Sequence, residues 1–210
     1  MAHAFLVYPG GSSKAGGMSQ ESGGWLDEGG ANLLRSLGIQ PGYRVLDFGC
    51  GRGTYVLPLA QVVGAEGKVI AVDVDGATLR SVREKLDAVH DSNTVEVRQV
   101  DEDSSLEWIS TRSLDAALLF DVLQHVGNWE GLFSSLFRVL KPGGLLIVNP
   151  TVMSHPGRVD LPKLESSLQY HGFRLRETKM TRAMHYDRLR DERILIFQAP
   201  CELDRAAEKE

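Results

Sequence analysis

Short apolar runs alternate with amphipathic segments along the chain, a pattern typical of an open α/β sheet rather than a closed barrel. Several of these runs are apolar at nearly every position, as in Leu114–Phe120, which suits strands covered on both faces. Seven strands are predicted, at about 44–48, 68–72, 95–97, 114–120, 145–148, 173–180 and 194–198. No long helical pattern separates the last two, so we expect them to form an antiparallel pair.

Apolar residues at helical spacing predict the segments that connect the strands. Helices are expected at about 25–37, 55–63, 79–86, 129–140 and 161–171. Gly38 and Gly64 end the first two, and Lys141-Pro142-Gly143-Gly144 ends the fourth. We interpret this last block as a structural turn into the fifth strand.

The composition, with 42% hydrophobic and 24% charged residues among 210, fits one globular domain over residues 25–200. Residues 1–24 are glycine-rich and form either a lid or a disordered lead-in, and residues 201–210 form a charged tail. The start lacks a basic region and no apolar run is long enough to span a membrane. Two cysteines, Cys50 and Cys201, fit a reducing cytoplasm, and a net charge of -5 disfavours nucleic acid as a partner.

The most informative segment is Val45–Thr54, where an apolar strand runs into a turn with Gly49, Gly51 and Gly53 that opens a helix. Such a turn lets backbone amides approach a nucleotide-like ligand. Thr54 stands where the dinucleotide fingerprint has its third glycine, which argues against NAD.

Two acids follow neighbouring strands. Asp73 ends the second strand, 20 residues after Gly53, as expected of an acid that accepts hydrogen bonds from a ribose diol. Asp101 follows the third strand and either contacts an adenine amine or belongs to a polar loop.

Taken together, these segments resemble class I S-adenosylmethionine-dependent methyltransferases of the small-molecule, ubiquinone/menaquinone-biosynthesis-like type. The matching pieces, in family order, are Val45–Gly53, Val69–Asp73, Asp101, Leu118–Leu123 and Arg138–Gly144. The resemblance implies a Rossmann-like seven-stranded sheet of order 3-2-1-4-5-7-6, with strand 7 antiparallel and helices on both faces. It also implies S-adenosyl-L-methionine as the cofactor.

The resemblance further implies roles for individual residues. Asp47 and the glycine turn, with Cys50, would lie beside the methionine part of the cofactor. Asp73 and Val74 would contact the ribose, while Asp101 and Glu102 would lie at the adenine. Phe120 and Asp121 would border the methyl donor.

The implied reaction is a direct in-line displacement of the methyl group, in which the protein mainly orients the reactants. If the acceptor must lose a proton, Asp121 and His125 are the candidate bases, although His125 reads equally well as a packed histidine. His155, His185 and Tyr186 are further candidates for the acceptor side. The loop that carries His185 and Tyr186 reads equally well as a basic surface turn.

Departures from related families narrow the acceptor to a small molecule. The sequence after strand four, Phe120-Asp121-Val122-Leu123, is not the Asn/Asp-Pro-Pro-aromatic block of amino-methylating nucleic-acid enzymes. Two cysteines are too few for arsenite ligation, none follows strand four to activate cytosine, and no metal-ligand spacing stands out. A monomer or homodimer is expected. A non-catalytic S-adenosylmethionine-binding module remains an alternative, while Thr54 and the Lys141–Gly144 block disfavour a nicotinamide oxidoreductase.

Overall fold

The computed structural model describes residues 24–88, 94–101, 105–150, 159–185 and 188–201. The strands are β1 Arg44–Phe48, β2 Lys68–Asp73, β3 Val95–Gln99, β4 Leu114–Phe120, β5 Leu140–Asn149, β6 Arg174–His185 and β7 Arg188–Gln198. The α-helices are α1 Gly30–Ser36, α2 Val56–Val63, α3 Gly76–Ala88, α4 Trp129–Val139 and α5 Leu161–Tyr170. None of the helices in these ranges is long and apolar enough to cross a membrane.

All seven strands form one sheet of order β3-β2-β1-β4-β5-β7-β6. The strands β1 to β5 pair in parallel, and β7 runs antiparallel to both β5 and β6. The predicted fold class and strand order are confirmed. The order reverses between β1 and β4, and ligands of open α/β sheets bind beyond the carboxyl ends of the strands at such a point.

The apolar strands are buried because helices cover the sheet on both sides. On the first face, side chains such as Val45 and Leu118 pack against α1, α2 and α3. On the second face, Leu46 and Ala117 pack against α4 and α5. Successive strand residues point to opposite faces of the sheet. This alternation also determines on which face each polar residue at a strand end lies.

The closing hairpin is longer than the sequence predicted, because its outer half carries polar and charged side chains. Register pairs run from Arg174 with Gln198 as far as His185 with Arg188. Only the apolar part of β7 pairs with β5, and the rest extends past the carboxyl end of β5.

Two other boundaries differ from expectation. The first helix opens with a π-helical turn, Trp25–Gly29, before α1. The Lys141–Gly144 block belongs to the start of β5 rather than to a separate turn, and the β4–β5 register shifts beside it. Lys141 Nζ lies 2.6 Å from Asp115 Oδ1, which ties this block to β4.

Candidate functional site

The glycine turn lies at the carboxyl end of β1 and is fixed to β2 by its own backbone. The amides of Gly49 and Cys50 both donate to the Val72 carbonyl at 2.9 Å. Gly49 has a φ of 74°, and a Cβ there would lie 2.3 Å from Val122 Cγ2. Glycine is therefore required at this position by both the backbone conformation and the close contact.

Asp73 holds the middle of the turn. Its Oδ2 accepts a hydrogen bond from the Gly51 amide at 2.9 Å, and its Oδ1 accepts one from the Asp75 amide at 3.0 Å. Each carboxylate oxygen keeps acceptor capacity beyond these bonds. Within the part of the chain that the structure describes, no atom outside the two neighbouring residues lies within 4 Å of a Cβ built on Gly51, so these residues leave the turn open there.

Asp47, the predicted acid before the turn, is 2% exposed. Its Oδ2 has no hydrogen-bond partner among the residues that the structure describes. Burial, and secondarily the charge of Asp73, raises its pKa from 3.8 to about 7. A buried carboxyl with an unsatisfied oxygen beside an open glycine turn fits a ligand that brings a cationic or hydrogen-bond-donating group.

Cys50 lies within the turn and is buried. Burial raises the pKa of its thiol, as do the charges of Asp47 and Asp73. Since the thiolate is the nucleophilic form, Cys50 serves packing rather than covalent chemistry.

At the end of β4, Asp121 adopts a left-handed backbone with a φ of 53°, which is unusual for a residue other than glycine. Its amide donates to the Asn149 carbonyl at 3.1 Å. Its Oδ2 lies 2.7 Å from Nδ1 of His185, the last residue of β6. The hydrogen bond to Asp121 is the main cause that raises the pKa of the His185 imidazole.

His125, the other predicted base, lies in a 3-10 helix, Leu123–His125, just after Asp121. Burial lowers its pKa, while the charges of Asp121 and Asp73 act in the opposite direction. The 3-10 helix therefore places His125 four residues after Asp121, while Asp121 itself is within hydrogen-bond distance of His185.

An aromatic cluster links the glycine turn to the hairpin. The Tyr55 ring meets Phe120 edge to face at 4.6 Å and Trp25 at 5.4 Å between centroids. The Tyr55 hydroxyl donates to the Met184 carbonyl at 2.9 Å, and Trp25 Nε1 donates to the Thr54 carbonyl at 3.0 Å. These contacts fix the positions of β4, the turn and β6 relative to one another.

Two polar residues near this edge were not anticipated from the sequence. Asn149 ends β5 and is 1% exposed, and neither Oδ1 nor Nδ2 has a hydrogen-bond partner within the described ranges. Glu192 of β7 is 6% exposed. Asn149 could have been found as the polar residue that ends an apolar run, whereas Glu192 stands among charged neighbours and only the hairpin pairing distinguishes it.

The remaining predicted contacts lie on the β2 and β3 side. The Val74 carbonyl accepts a hydrogen bond from Gln99 Nε2 at 2.9 Å, and Asp101 is exposed directly after β3. Three predicted residues lie outside the described residues, namely Glu102, His155 and Tyr186, as do the lead-in before residue 24 and the tail after residue 201. Within the described ranges, no three His, Cys, Asp or Glu side chains are grouped so as to hold a metal ion.

A family model described as a methyltransferase domain matches residues 21–209. The chain therefore belongs to this methyltransferase domain family, which confirms the class that the motifs predicted, an S-adenosylmethionine-dependent enzyme. It is 33% identical over 135 residues to the ubiquinone/menaquinone biosynthesis C-methyltransferase UbiE of Vibrio cholerae. That match covers 64% of this chain and 50% of the relative, so the chain spans half the length of that protein.

Solved structures share the fold. A SAM-dependent methyltransferase from Aquifex aeolicus superposes with a TM-score of 0.68 at 20% identity, over 80% of this chain and 88% of that one. The [4+2]-cyclase SpnF superposes with a TM-score of 0.65 at 19% identity, over 81% of this chain and 82% of that one. At these identities the likeness concerns the fold alone.

Proposed function

We propose that this chain transfers a methyl group from S-adenosylmethionine to a small-molecule acceptor and that the Asp121–His185 pair removes a proton from that acceptor. The observation that carries the proposal is the 2.7 Å contact between Asp121 Oδ2 and His185 Nδ1. It lies at the carboxyl end of β4, next to the turn that this family uses for its cofactor.

The cofactor side of the proposal uses the predicted residues. Asp47 and the amides of Gly49–Gly53 would face the methionine part, Asp73 and Val74 the ribose, and Asp101 the adenine. The unsatisfied Asp47 Oδ2 and the open space at Gly51 support this fit. When bound, S-adenosylmethionine supplies a methyl group activated by a positively charged sulfur, so direct displacement needs no protein nucleophile.

The protein's own contribution is orientation and proton transfer. With its proton on Nδ1, His185 donates a hydrogen bond to Asp121 Oδ2, which leaves Nε2 as the basic nitrogen of the ring. Asp121 also stabilises the imidazolium that forms when Nε2 takes a proton, consistent with the raised pKa of His185. His125, in the 3-10 helix just after Asp121, is the second candidate base.

A small-molecule acceptor is supported by two features. The Vibrio cholerae relative is named as a C-methyltransferase of ubiquinone and menaquinone biosynthesis, and its similarity to this chain supports a small acceptor here. Trp25, Tyr55 and Phe120 also form an apolar wall beside the acidic groups. Such a wall suits an organic molecule with a ring or alkyl surface.

The proposal is tested by replacing His185 with Gln and measuring both binding and turnover. We expect S-adenosylhomocysteine affinity near the wild-type value, and release of S-adenosylhomocysteine with a small-molecule extract lowered by about 100-fold or more. His171→Gln is the matched control, because His171 pairs with Glu130 at 2.6 Å at the end of α5, away from this edge. A wild type that binds the cofactor and never turns over would favour the non-catalytic module, and full activity in His185→Gln would refute the proton transfer.

A further inference from the structure

Glu192 lies at the same edge of the sheet as Asp121 and on the first face. Leu195 of β7 pairs with Val148 of β5, so Glu192 lies past the carboxyl end of β5. Ile194 belongs to the core of the first face, and Glu192, two residues away along the strand, addresses the same side. Its partner on β6 is Thr181.

The Glu192 side chain is buried beside other charged groups, with an exposed fraction of 6%. Burial is the main cause that raises its pKa, and the charges of Asp121 and Asp191 act in the same direction. His185 and the exposed Arg190 oppose them. Burying a carboxylate costs free energy unless an opposite charge compensates it, so a cationic group supplied by a ligand would stabilise it.

The surroundings of Glu192 favour a cation over a neutral donor. Burial is the main cause that raises the pKa of the Tyr55 phenol, and the charges of Asp121, Asp47 and Glu192 raise it further. The Tyr55 ring itself packs edge to face against the rings of Phe120 and Trp25. Carboxylates combined with aromatic rings are the groups that bind ammonium ions in proteins.

An unsatisfied side chain points to a ligand on this face. Asn149 pairs with Phe120 across β4 and β5, and Phe120 belongs to the core of the first face. Asn149 therefore lies on the same face of the sheet as Glu192, and among the described residues neither of its polar side-chain atoms has a partner. Two polar side chains, both more than nine-tenths buried, thus lie toward the hairpin end of the site, and Asn149 is unsatisfied there.

The distance along the sheet assigns the β7 end of the site, where Glu192 lies, to the acceptor rather than to the cofactor. The glycine turn follows β1, and β4 and β5 separate β1 from β7. Three strand spacings amount to about 14 Å. A group at Glu192 is therefore beyond the turn that would hold the cofactor.

We propose that Glu192 forms an anionic subsite for a positively charged nitrogen on the methyl acceptor. The inference rests on the proposed function, because it assigns this end of the site to the acceptor. It restricts the acceptor to molecules that carry an amine or ammonium group, and it disfavours acceptors that place a carboxylate or phosphate there.

The test uses three small probes that carry a cationic, a neutral and an anionic group on a benzene ring: benzylamine, benzyl alcohol and benzoate. S-adenosylhomocysteine binding is measured first by calorimetry, and each probe is then titrated into the protein saturated with it at pH 7. We expect benzylamine to bind at least about tenfold more tightly than benzyl alcohol, and benzoate to bind most weakly. Glu192→Gln should reduce benzylamine to the affinity of benzyl alcohol.

Asp191→Asn is the matched control, because it removes the same charge from the exposed neighbour of Glu192 on the same strand. It should keep the preference for benzylamine. The inference is overturned if Glu192→Gln keeps that preference, if benzoate binds as tightly as benzylamine, or if no probe binds the loaded wild type. If Glu192→Gln does not fold, the inference is judged by the order of the three probe affinities for the wild type. Failure to bind S-adenosylhomocysteine would instead count against the proposed function.

Discussion

Replacing Asp73 with Asn tests how the glycine turn is held open. In the structure the two carboxylate oxygens accept one backbone hydrogen bond each, from Gly51 at 2.9 Å and from Asp75 at 3.0 Å. An amide has one oxygen, so its NH2 group must face one of these two N–H donors. The variant therefore loses one charge-assisted hydrogen bond and leaves a donor unsatisfied, at a cost of about 1.5 to 3 kcal/mol.

Part of this cost is offset, because the Asp73 charge also raises the pKa of Asp47 and its removal relieves that repulsion. We expect urea denaturation to show a loss of at most about 3 kcal/mol in the free energy of unfolding. Calorimetry should show S-adenosylhomocysteine affinity lowered by about 10- to 100-fold, since the ribose would lose a charged acceptor.

The matched control for this variant is Asp75→Asn. Asp75 is exposed, and its Oδ1 accepts from the Ala77 amide at 2.8 Å at the start of α3. Asn caps a helix about as well as Asp, so this variant should keep both stability and affinity. Wild-type affinity in Asp73→Asn, or an equal loss in the two variants, would refute the role assigned to Asp73.

Three further predictions concern the same edge of the sheet. Asp121→Asn should lower the pKa of the His185 imidazole, because it removes the charged partner of the hydrogen bond. In the wild type, protonated His185 stabilises the folded protein fully below pH 6.5, and this stabilisation is lost as pH rises through the raised pKa of His185 in the folded state. Gly49→Ala should cost about 2 to 5 kcal/mol of stability, whereas Gly51→Ala should cost about 1 to 2 kcal/mol and mainly weaken cofactor binding. The wild type should lose stability as pH rises from 3.8 to about 7, because the folded state resists ionisation of the buried Asp47 carboxyl. Asp47→Asn lacks this loss, so its free energy of unfolding relative to wild type should rise by up to about 4 kcal/mol over that range.

Each of these has a direct measurement. NMR titration of the His185 ring reports its pKa, and an unchanged value in Asp121→Asn would contradict the hydrogen bond. Urea denaturation and calorimetry together separate the two glycine variants, and equal stability loss in both would contradict the difference in their surroundings. For Asp47, the stability difference from wild type should depend on pH, and a constant difference between pH 4 and 8 would contradict the raised pKa.

Most of the fold could be predicted from the sequence because its strands carry nearly continuous apolar runs. Leu114–Phe120 has the predicted bounds, and Arg44–Phe48 differs by no residue from the expected 44–48. The extent of the hairpin was underestimated because Thr181 is polar and five of the six residues 188–193 are charged. These residues form strands because β6 and β7 pair with each other, and this pairing does not require an apolar alternation in the sequence.

The site was predictable in so far as its residues lie within one motif. The glycine turn and Asp73 follow a known spacing, and the structure joins them by a hydrogen bond. The contact between Asp121 and His185 spans 64 residues, so neither spacing nor periodicity could reveal it. His185 was singled out only as a loop residue, because the sequence did not show that β6 continues to it and returns it to the end of β4.

Transfer of an isotope-labelled methyl group tests the central claim most directly. The protein is incubated with labelled S-adenosylmethionine and a small-molecule extract, and the label is followed by chromatography and mass spectrometry. The account predicts that the wild type and His171→Gln place the label in a small molecule, while Asp73→Asn and His185→Gln do so far more slowly. Tight cofactor binding without any labelled small molecule, or label transferred equally by all four proteins, would contradict it.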